Sequence, residues 1–119
     1  MVLEKPLIKS PKIIVFGFSL SSLPLLHRLK ANHKADQIFC SDCSANLLDK
    51  KSNNLKQLTP LDFLKGYWQK NNQLIFVGSV GAVVRLISPF VKSKENDPAV
   101  LVMDSKAKNI VSLLGGHAS

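Results

Sequence analysis

A histidine that could transfer protons stands near the end of the sequence, in the motif Gly115-Gly116-His117. Glycines allow a backbone to approach a ligand closely, and an imidazole can transfer protons or bind a metal near neutral pH. The motif follows an apolar, strand-like segment. A flexible C-terminal tail is the favoured interpretation of these residues alone, and His117 is the candidate catalytic residue that they offer.

A second motif, Gly78-Ser79-Val80-Gly81, follows an apolar segment and precedes a helical pattern. The free N–H groups at the start of a helix attract anions, so Gly78 and Ser79 are candidate binding residues. No Gly-Lys-Ser/Thr follows and the GxGxxG pattern is incomplete, which disfavours nucleotide binding. A strand–helix turn that needs glycine for its backbone angles is the alternative.

Two charged side chains could hold or orient a ligand. Arg85 lies off the apolar face of its predicted helix, where it could clamp a carboxylate or be solvated. Asp104 ends a predicted strand, a common place for ligand-binding groups in α/β sheets. Because aspartate also initiates turns well, turn formation is the favoured role for Asp104.

The cysteines form a single Cys40-Ser41-Asp42-Cys43 motif after a predicted strand. A redox motif can stand there, whereas a zinc site needs a second pair of ligands. His27 and His33 do not have zinc-finger spacing. The favoured interpretation is two ordinary small residues at a strand end, and two cysteines cannot form a disulfide framework.

Apolar periodicity predicts the elements that must position these groups. Continuous apolar runs predict strands at Ile13–Phe18, Ile38–Cys40, Gln73–Val77, Ala99–Met103 and Ile110–Leu114. Ser19, Ser21 and Ser22 are cap candidates for a first helix with Pro24 in its first turn, and Thr59 and Ser79 are predicted to cap two further helices. The helix after Ser79 has an apolar face formed by Val80, Val83, Val84, Ile87 and Val91. Asp42–Leu58 is predicted to be mostly irregular. The order predicts a three-layer α/β sandwich whose mostly parallel sheet has about five strands.

The last two predicted strands are joined only by Asp104–Asn109. A parallel crossover needs roughly a dozen residues, so these strands should form a C-terminal antiparallel hairpin. Gly115 and His117 should then lie at the opposite sheet edge from Asp104, beside Lys94–Pro98.

Length and composition predict one basic domain. The chain has 119 residues and a formal net charge of +8, and only Arg28 and Arg85 among its 16 basic residues are arginines. We predict a tail at 1–11 and an α/β domain at 12–119. No apolar run is long enough to span a bilayer and no signal peptide is visible, so we expect a cytoplasmic protein without a membrane partner.

A basic protein attracts anions, and nucleic acid is the first class to consider. The lysines are scattered along the chain, and arginine, the preferred residue for guanine and paired phosphate contacts, is scarce. These observations disfavour nucleic acid. A small polycarboxylate, a phosphate ligand or an acidic partner domain fits the charge equally well.

Three motifs in order carry a resemblance to a known family. They are Gly81-Ala82-Val83-Val84-Arg85-Leu86-Ile87-Ser88-Pro89-Phe90 with Lys94, then Asp97–Asp104, then Ile110–His117. Together they resemble the N-terminal domain of the cobalamin-biosynthesis CbiG family, the cobalt-precorrin 5A hydrolases. The family pattern runs on into Gly-Ala-Asn and a helix, so we expect the chain to be a piece of a longer protein.

The resemblance implies opening of the δ-lactone of cobalt-precorrin 5A with release of acetaldehyde. It implies His117 as proton-transfer residue, Arg85 and Lys94 as partners of ring carboxylates, and Gly115-Gly116 as the backbone that the ring approaches. Asp97 or Lys94 is then the expected neighbour of His117. The protein needs no cofactor of its own, because the substrate brings the cobalt.

The implied partners are the polycarboxylated corrinoid, and either a C-terminal domain of the same family or a fused precorrin methyltransferase. Two other functions remain open at this point. One is a non-catalytic module that binds the corrinoid or docks to such a domain, and the other is an RNA- or phosphate-binding α/β domain.

Overall fold

The computed structural model describes residues 11–42 and 55–115, which build one sheet with helices on both faces. The strands are β1 (Lys12–Gly17), β2 (Gln37–Cys40), β3 (Lys56–Gln57), β4 (Asn72–Val77), β5 (Ala99–Met103) and β6 (Ile110–Leu114). The helices are α1 (Leu23–Ala31), α2 (Pro60–Tyr67) and α3 (Val80–Ile87), with short 3₁₀ helices at Leu20–Ser22 and Ser88–Phe90. Of the predicted tail, only Pro11 is among the described residues.

The strand order is β3-β2-β1-β4-β5-β6. Five strands are parallel, and β6 alone runs antiparallel, beside β5. The predicted α/β class, the mostly parallel sheet and the C-terminal hairpin are thus confirmed. The sixth strand is β3, within a segment that the sequence predicted to be irregular.

The sequence did not predict this strand, and the reason is physical. β3 has two residues, and it is held by pairing with Phe39 and Cys40 of β2 and by the bond that the Leu58 N–H donates to the Cys40 carbonyl. A strand this short has no apolar alternation of its own. Its partner strand therefore determines it.

β1 and β4 form the centre of the sheet and are covered on both faces. Alternate residues point to opposite sides, so Phe16 lies in the layer of α2 and α3, whereas Val15 lies under α1. Phe63 of α2 packs on Phe16 with ring centroids 4.7 Å apart. The result is the predicted three-layer arrangement.

α1 approaches the end of β1 very closely. A Cβ atom at Gly17 would overlap the Ser22 hydroxyl and lie 2.7 Å from Leu26 Cδ1. The Ser22 hydroxyl donates to the Ser19 carbonyl at 2.6 Å and does not cap the helix, contrary to expectation. Pro24 occupies the first helical turn as predicted, and His33 follows the helix with φ 53°.

The other two helices begin at the predicted caps. Thr59 Oγ1 accepts a bond from Asp62 N–H, and Ser79 Oγ accepts one from Ala82 N–H. α2 continues through Gly66 to Tyr67. The predicted helical segments at Thr59 and Ser79 are therefore confirmed.

The apolar face predicted for α3 is correct only in part. Val83 and Ile87 are buried, whereas Val80, Val84 and Val91 are about two-fifths exposed. The helix ends at Ile87, and Pro89 lies in the 3₁₀ helix that follows. Within the described ranges, no helix has the length and apolar character needed to cross a membrane.

Candidate functional site

A crevice lies at the edge of the sheet where the parallel strands end. Its volume is about 400 Å³, and its walls come from the segments that follow β1, β4 and β5. The lining residues are Ser19, Ser21, Ser22, Val77, Gly78, Ser79, Asp104 and Ser105. We call it the serine crevice, because five of these eight residues are serines.

The topology explains why the serine crevice forms here. From β1 the chain passes to β2 and β3 on one side, and it returns to β4 on the other side of β1. The segments after β1 and β4 therefore diverge, since α1 packs on one face of the sheet and α3 on the other. Such a reversal of strand order is the usual ligand position in open α/β sheets.

Hydroxyl groups supply the polarity of the serine crevice, and α3 begins beside it. Ser19 Oγ and Ser21 Oγ lie 2.7 Å apart and share one hydrogen bond. Ser79 caps α3 through an accepted bond, which leaves its own hydroxyl proton available for donation. The N–H groups of Val80 and Gly81, in the first turn, have no acceptor within the helix.

Asp104 lines the serine crevice, but its carboxylate serves the β5–β6 loop. Oδ1 accepts bonds from the N–H groups of Lys106 and Lys108, and Oδ2 accepts two bonds from Asn109, each at 3.0 Å. The Lys108 bond, with those from Asn109 and Lys106, outweighs desolvation and lowers the pKa of Asp104 below its usual 3.8. The predicted turn role of Asp104 is thus confirmed.

Gly115 lies at the other edge of the sheet, where the parallel strands begin. A Cβ atom at Gly115 would stand 3.2 Å from Ala99 Cα, at the start of β5, and its φ is +65°. Gly78 lies at the opposite end of β5, because its N–H donates to the Met103 carbonyl. Four residue steps, about 13 Å, separate these two positions along β5.

The predicted site residues therefore fall into two groups. Gly78 and Ser79 line the serine crevice at one edge. Lys94 is exposed in the loop that enters β5, toward the edge of Gly115, and Arg85 is exposed near the end of α3. The predicted positions Gly116 and His117 lie outside the described residues, so the structure does not test the role of His117.

The loop that carries Lys94 is held by Asp97. The Asp97 carboxylate accepts the Lys92 N–H at 3.0 and 2.8 Å and the Trp68 indole N–H at 3.3 Å. Asn96 N–H and Asp97 N–H both donate to the Ser93 carbonyl. This carboxylate thus anchors the loop to α2, and whether it neighbours His117 is untested.

The structure also describes part of the cysteine motif. Cys40 is fully buried at the end of β2, where the sequence placed it. Cys43 lies outside the described residues. Across 11–42 and 55–115, no group of three or more His, Cys, Asp or Glu side chains could hold a metal ion.

Sequence reasoning missed four of the lining serines, Ser19, Ser21, Ser22 and Ser105. The first three were interpreted only as possible helix caps, because a serine cluster after a strand fits both roles. Ser105 lies in the turn after β5. The missing signal was the strand order, which brings the segments after β1, β4 and β5 together.

Comparison with known proteins confirms the predicted resemblance over the C-terminal part of the chain. Residues 62–119 match the family described as Cobalamin synthesis G N-terminal. A cobalt-precorrin-5A hydrolase of Priestia megaterium is 46% identical over 54 residues, which is 45% of this chain. The enzyme of the same name from Salmonella typhimurium is 49% identical over 45 residues, or 38% of this chain.

A solved structure extends the likeness to the fold. The crystal structure of a cobalamin biosynthesis protein G homolog from Sulfolobus solfataricus superposes with a TM-score of 0.59 over 88% of this chain, at 17% sequence identity. The matched part is 14% and 13% of the two hydrolases and 29% of the crystallised chain. This chain therefore corresponds to a small part of each relative.

Proposed function

We propose that this chain is the corrinoid-binding part of a cobalamin-biosynthesis protein that opens the δ-lactone of cobalt-precorrin 5A and releases acetaldehyde. The observation that carries the proposal is the match of residues 62–119 to the Cobalamin synthesis G N-terminal family. Both hydrolases that match part of this chain are named for that substrate.

The matched segment contains the features that a polyanionic ring would meet. The cap of α3 at Ser79 and the β5–β6 loop around Asp104 lie at one edge of the sheet, and the loop that carries Lys94 lies toward the other. A precorrin bears many acetate and propionate groups, and the net charge of +8 draws such a molecule toward the protein. The positive charge thus has a ligand of matching chemistry.

This chain supplies the binding groups and one catalytic group, and the rest of the protein completes the site. The carboxylates of Asp97 and Asp104 are occupied by N–H donors, so they suit loop anchoring better than proton transfer. His117 is the proposed proton-transfer residue, as the family resemblance implies, and the cobalt arrives with the substrate. A C-terminal domain or a fused precorrin methyltransferase supplies the remaining surface around the ring.

The experiment is a visible-absorption titration of the isolated chain. The ligands are cobyrinic acid, a cobalt corrinoid with free acetate and propionate groups, and a corrinoid whose carboxylates are fully amidated. We expect saturable binding of the acid form, weaker binding of the amide form, and no acetaldehyde when the isolated chain meets cobalt-precorrin 5A. Strong, salt-sensitive RNA binding without corrinoid binding would overturn the proposal.

A further inference from the structure

We infer that the serine crevice is the subsite that takes a carboxylate side chain of the corrinoid, and this inference rests on the proposed function. The crevice lies between β1 and β4, where the strand order reverses, and the segments after three different strands enclose it. Its volume of about 400 Å³ accommodates an acetate or propionate arm, and we place the macrocycle at its mouth.

The polar groups of the crevice fit an anion better than a cation. Hydroxyls of Ser19, Ser21, Ser79 and Ser105 surround it, and hydroxyls donate readily to a carboxylate. The one carboxylate in its wall, Asp104, is turned to the four donors of its own loop. A cation would find no available charged partner among these lining residues.

The alternative docking region is the other sheet edge, with Arg85, Lys94 and Gly115. The side chains of Arg85 and Lys94 are exposed on a helix and in a loop, and an ion pair in water contributes little affinity there. The serine crevice instead brings hydroxyl-bearing residues from three segments into one concave site. The geometry therefore favours the crevice as the position of the anchored arm.

The decisive variant is Ser79→Asp. Aspartate caps a helix as well as serine does, so α3 should remain intact. The added charge at the crevice should weaken cobyrinic acid binding about tenfold, by repulsion between carboxylates a few ångströms apart. Circular dichroism and thermal melting check that the variant is folded.

Thr59→Asp is the matched control. It makes the same change of charge at the cap of α2, which begins after the edge strand β3 and does not line the crevice. We expect binding within about twofold of the original chain, because only distant, screened repulsion is added. The comparison is repeated with a second pair of variants at positions that cap no helix. They are Ser105→Asp in the crevice and Ser112→Asp on β6.

The outcomes separate the two proposals. If Ser79→Asp and Thr59→Asp weaken cobyrinic acid binding equally, and the second pair does the same, the crevice is not the carboxylate subsite. Corrinoid binding by the chain would still be established. If the original chain binds no cobyrinic acid, the proposed function itself fails. Selective weakening by the two crevice variants supports the inference.

Discussion

At the scale of single residues, Asp104 decides the shape of the β5–β6 loop. Its two carboxylate oxygens accept four hydrogen bonds, three of them from backbone N–H groups of the loop. Asp104→Ala removes these acceptors, so the loop that holds Ala107 at φ 59° loses its support. We expect the midpoint of thermal unfolding to fall by a few degrees.

The same contacts make this contribution depend on pH. The loop N–H groups stabilise the ionised form, so the folded pKa of Asp104 lies below its usual value of 3.8. The stabilisation is therefore complete above that value and is lost as the pH falls through the folded pKa. Glu95→Gln is the control variant. If the stability of Asp104→Ala falls with acid pH as much as that of the original chain, this role of Asp104 is contradicted.

Individual residues also show what could be predicted from the sequence. Thr59 and Ser79 were correctly predicted as caps, because a cap depends on neighbours three residues away in the chain. Ser22 was a cap candidate of the same type, yet its hydroxyl bonds the Ser19 carbonyl. A local pattern predicts that a serine bonds the nearby backbone, but packing decides which group it bonds.

His117 carries the catalytic part of the proposal. In the full-length protein, His117→Ala should lower the rate of lactone opening at least about a hundredfold, the usual contribution of a proton-transfer residue. Corrinoid affinity, measured by the absorption titration, should change little. An unchanged rate of acetaldehyde release would remove His117 from the mechanism, and His27→Ala, in α1, serves as the control.

At the scale of elements, the contact of α1 with β1 depends on the absence of a side chain at Gly17. Gly17→Ala would drive a methyl group into Ser22 and Leu26, at a cost of about 1–3 kcal/mol in the free energy of unfolding. Gly66→Ala should have the opposite effect and stabilise α2 by about 0.5–1 kcal/mol, since nothing lies within 4 Å of the added Cβ.

Denaturant unfolding of both variants measures this difference in sign. If Gly17→Ala is as stable as the original chain, α1 does not approach β1 as closely as described. If Gly66→Ala is destabilising, the helical conformation at that position is in doubt. The two glycines thus test the two helical layers separately.

Elements with their own apolar pattern were predictable, and elements defined by neighbours were not. The bounds of β5 and β6 agree with the prediction, because their apolar runs end at Asp104 and Gly115. β3 was missed because it exists only through pairing with β2. On α3, helical spacing could not show that Val80, Val84 and Val91 stay partly exposed, since the flanking elements determine their burial.

At the scale of the whole molecule, the formal charge of +8 should increase the affinity for a polyanion. We expect the affinity for cobyrinic acid to fall steadily as NaCl rises from 20 to 300 mM. Over this range the Debye length shortens from about 22 to about 6 Å, so salt increasingly screens exposed charges. The fully amidated corrinoid should show little salt dependence. Equal salt dependence for both ligands, measured by titration, would contradict electrostatic capture.

The site itself was predictable only as separate pieces. Gly78, Ser79 and Asp104 were each identified from their motifs, but the sequence could not show that β1 lies between β2 and β4. That strand order brings Ser19 and Ser21 to the same crevice as Ser105. Long-range pairing, rather than local propensity, thus creates the candidate site.

The edge strand β6 has a consequence for how the molecules behave toward one another. Its sequence, Ile110-Val111-Ser112-Leu113-Leu114, has no charge and no proline, and the side chains of Ile110 and Val111 are 57% and 41% exposed. Such an edge invites pairing between copies, although the register shift opposite Val100 and Leu101 interrupts it. Mutual repulsion between strongly cationic molecules then provides colloidal protection for this strand, and concentrated salt should weaken that protection.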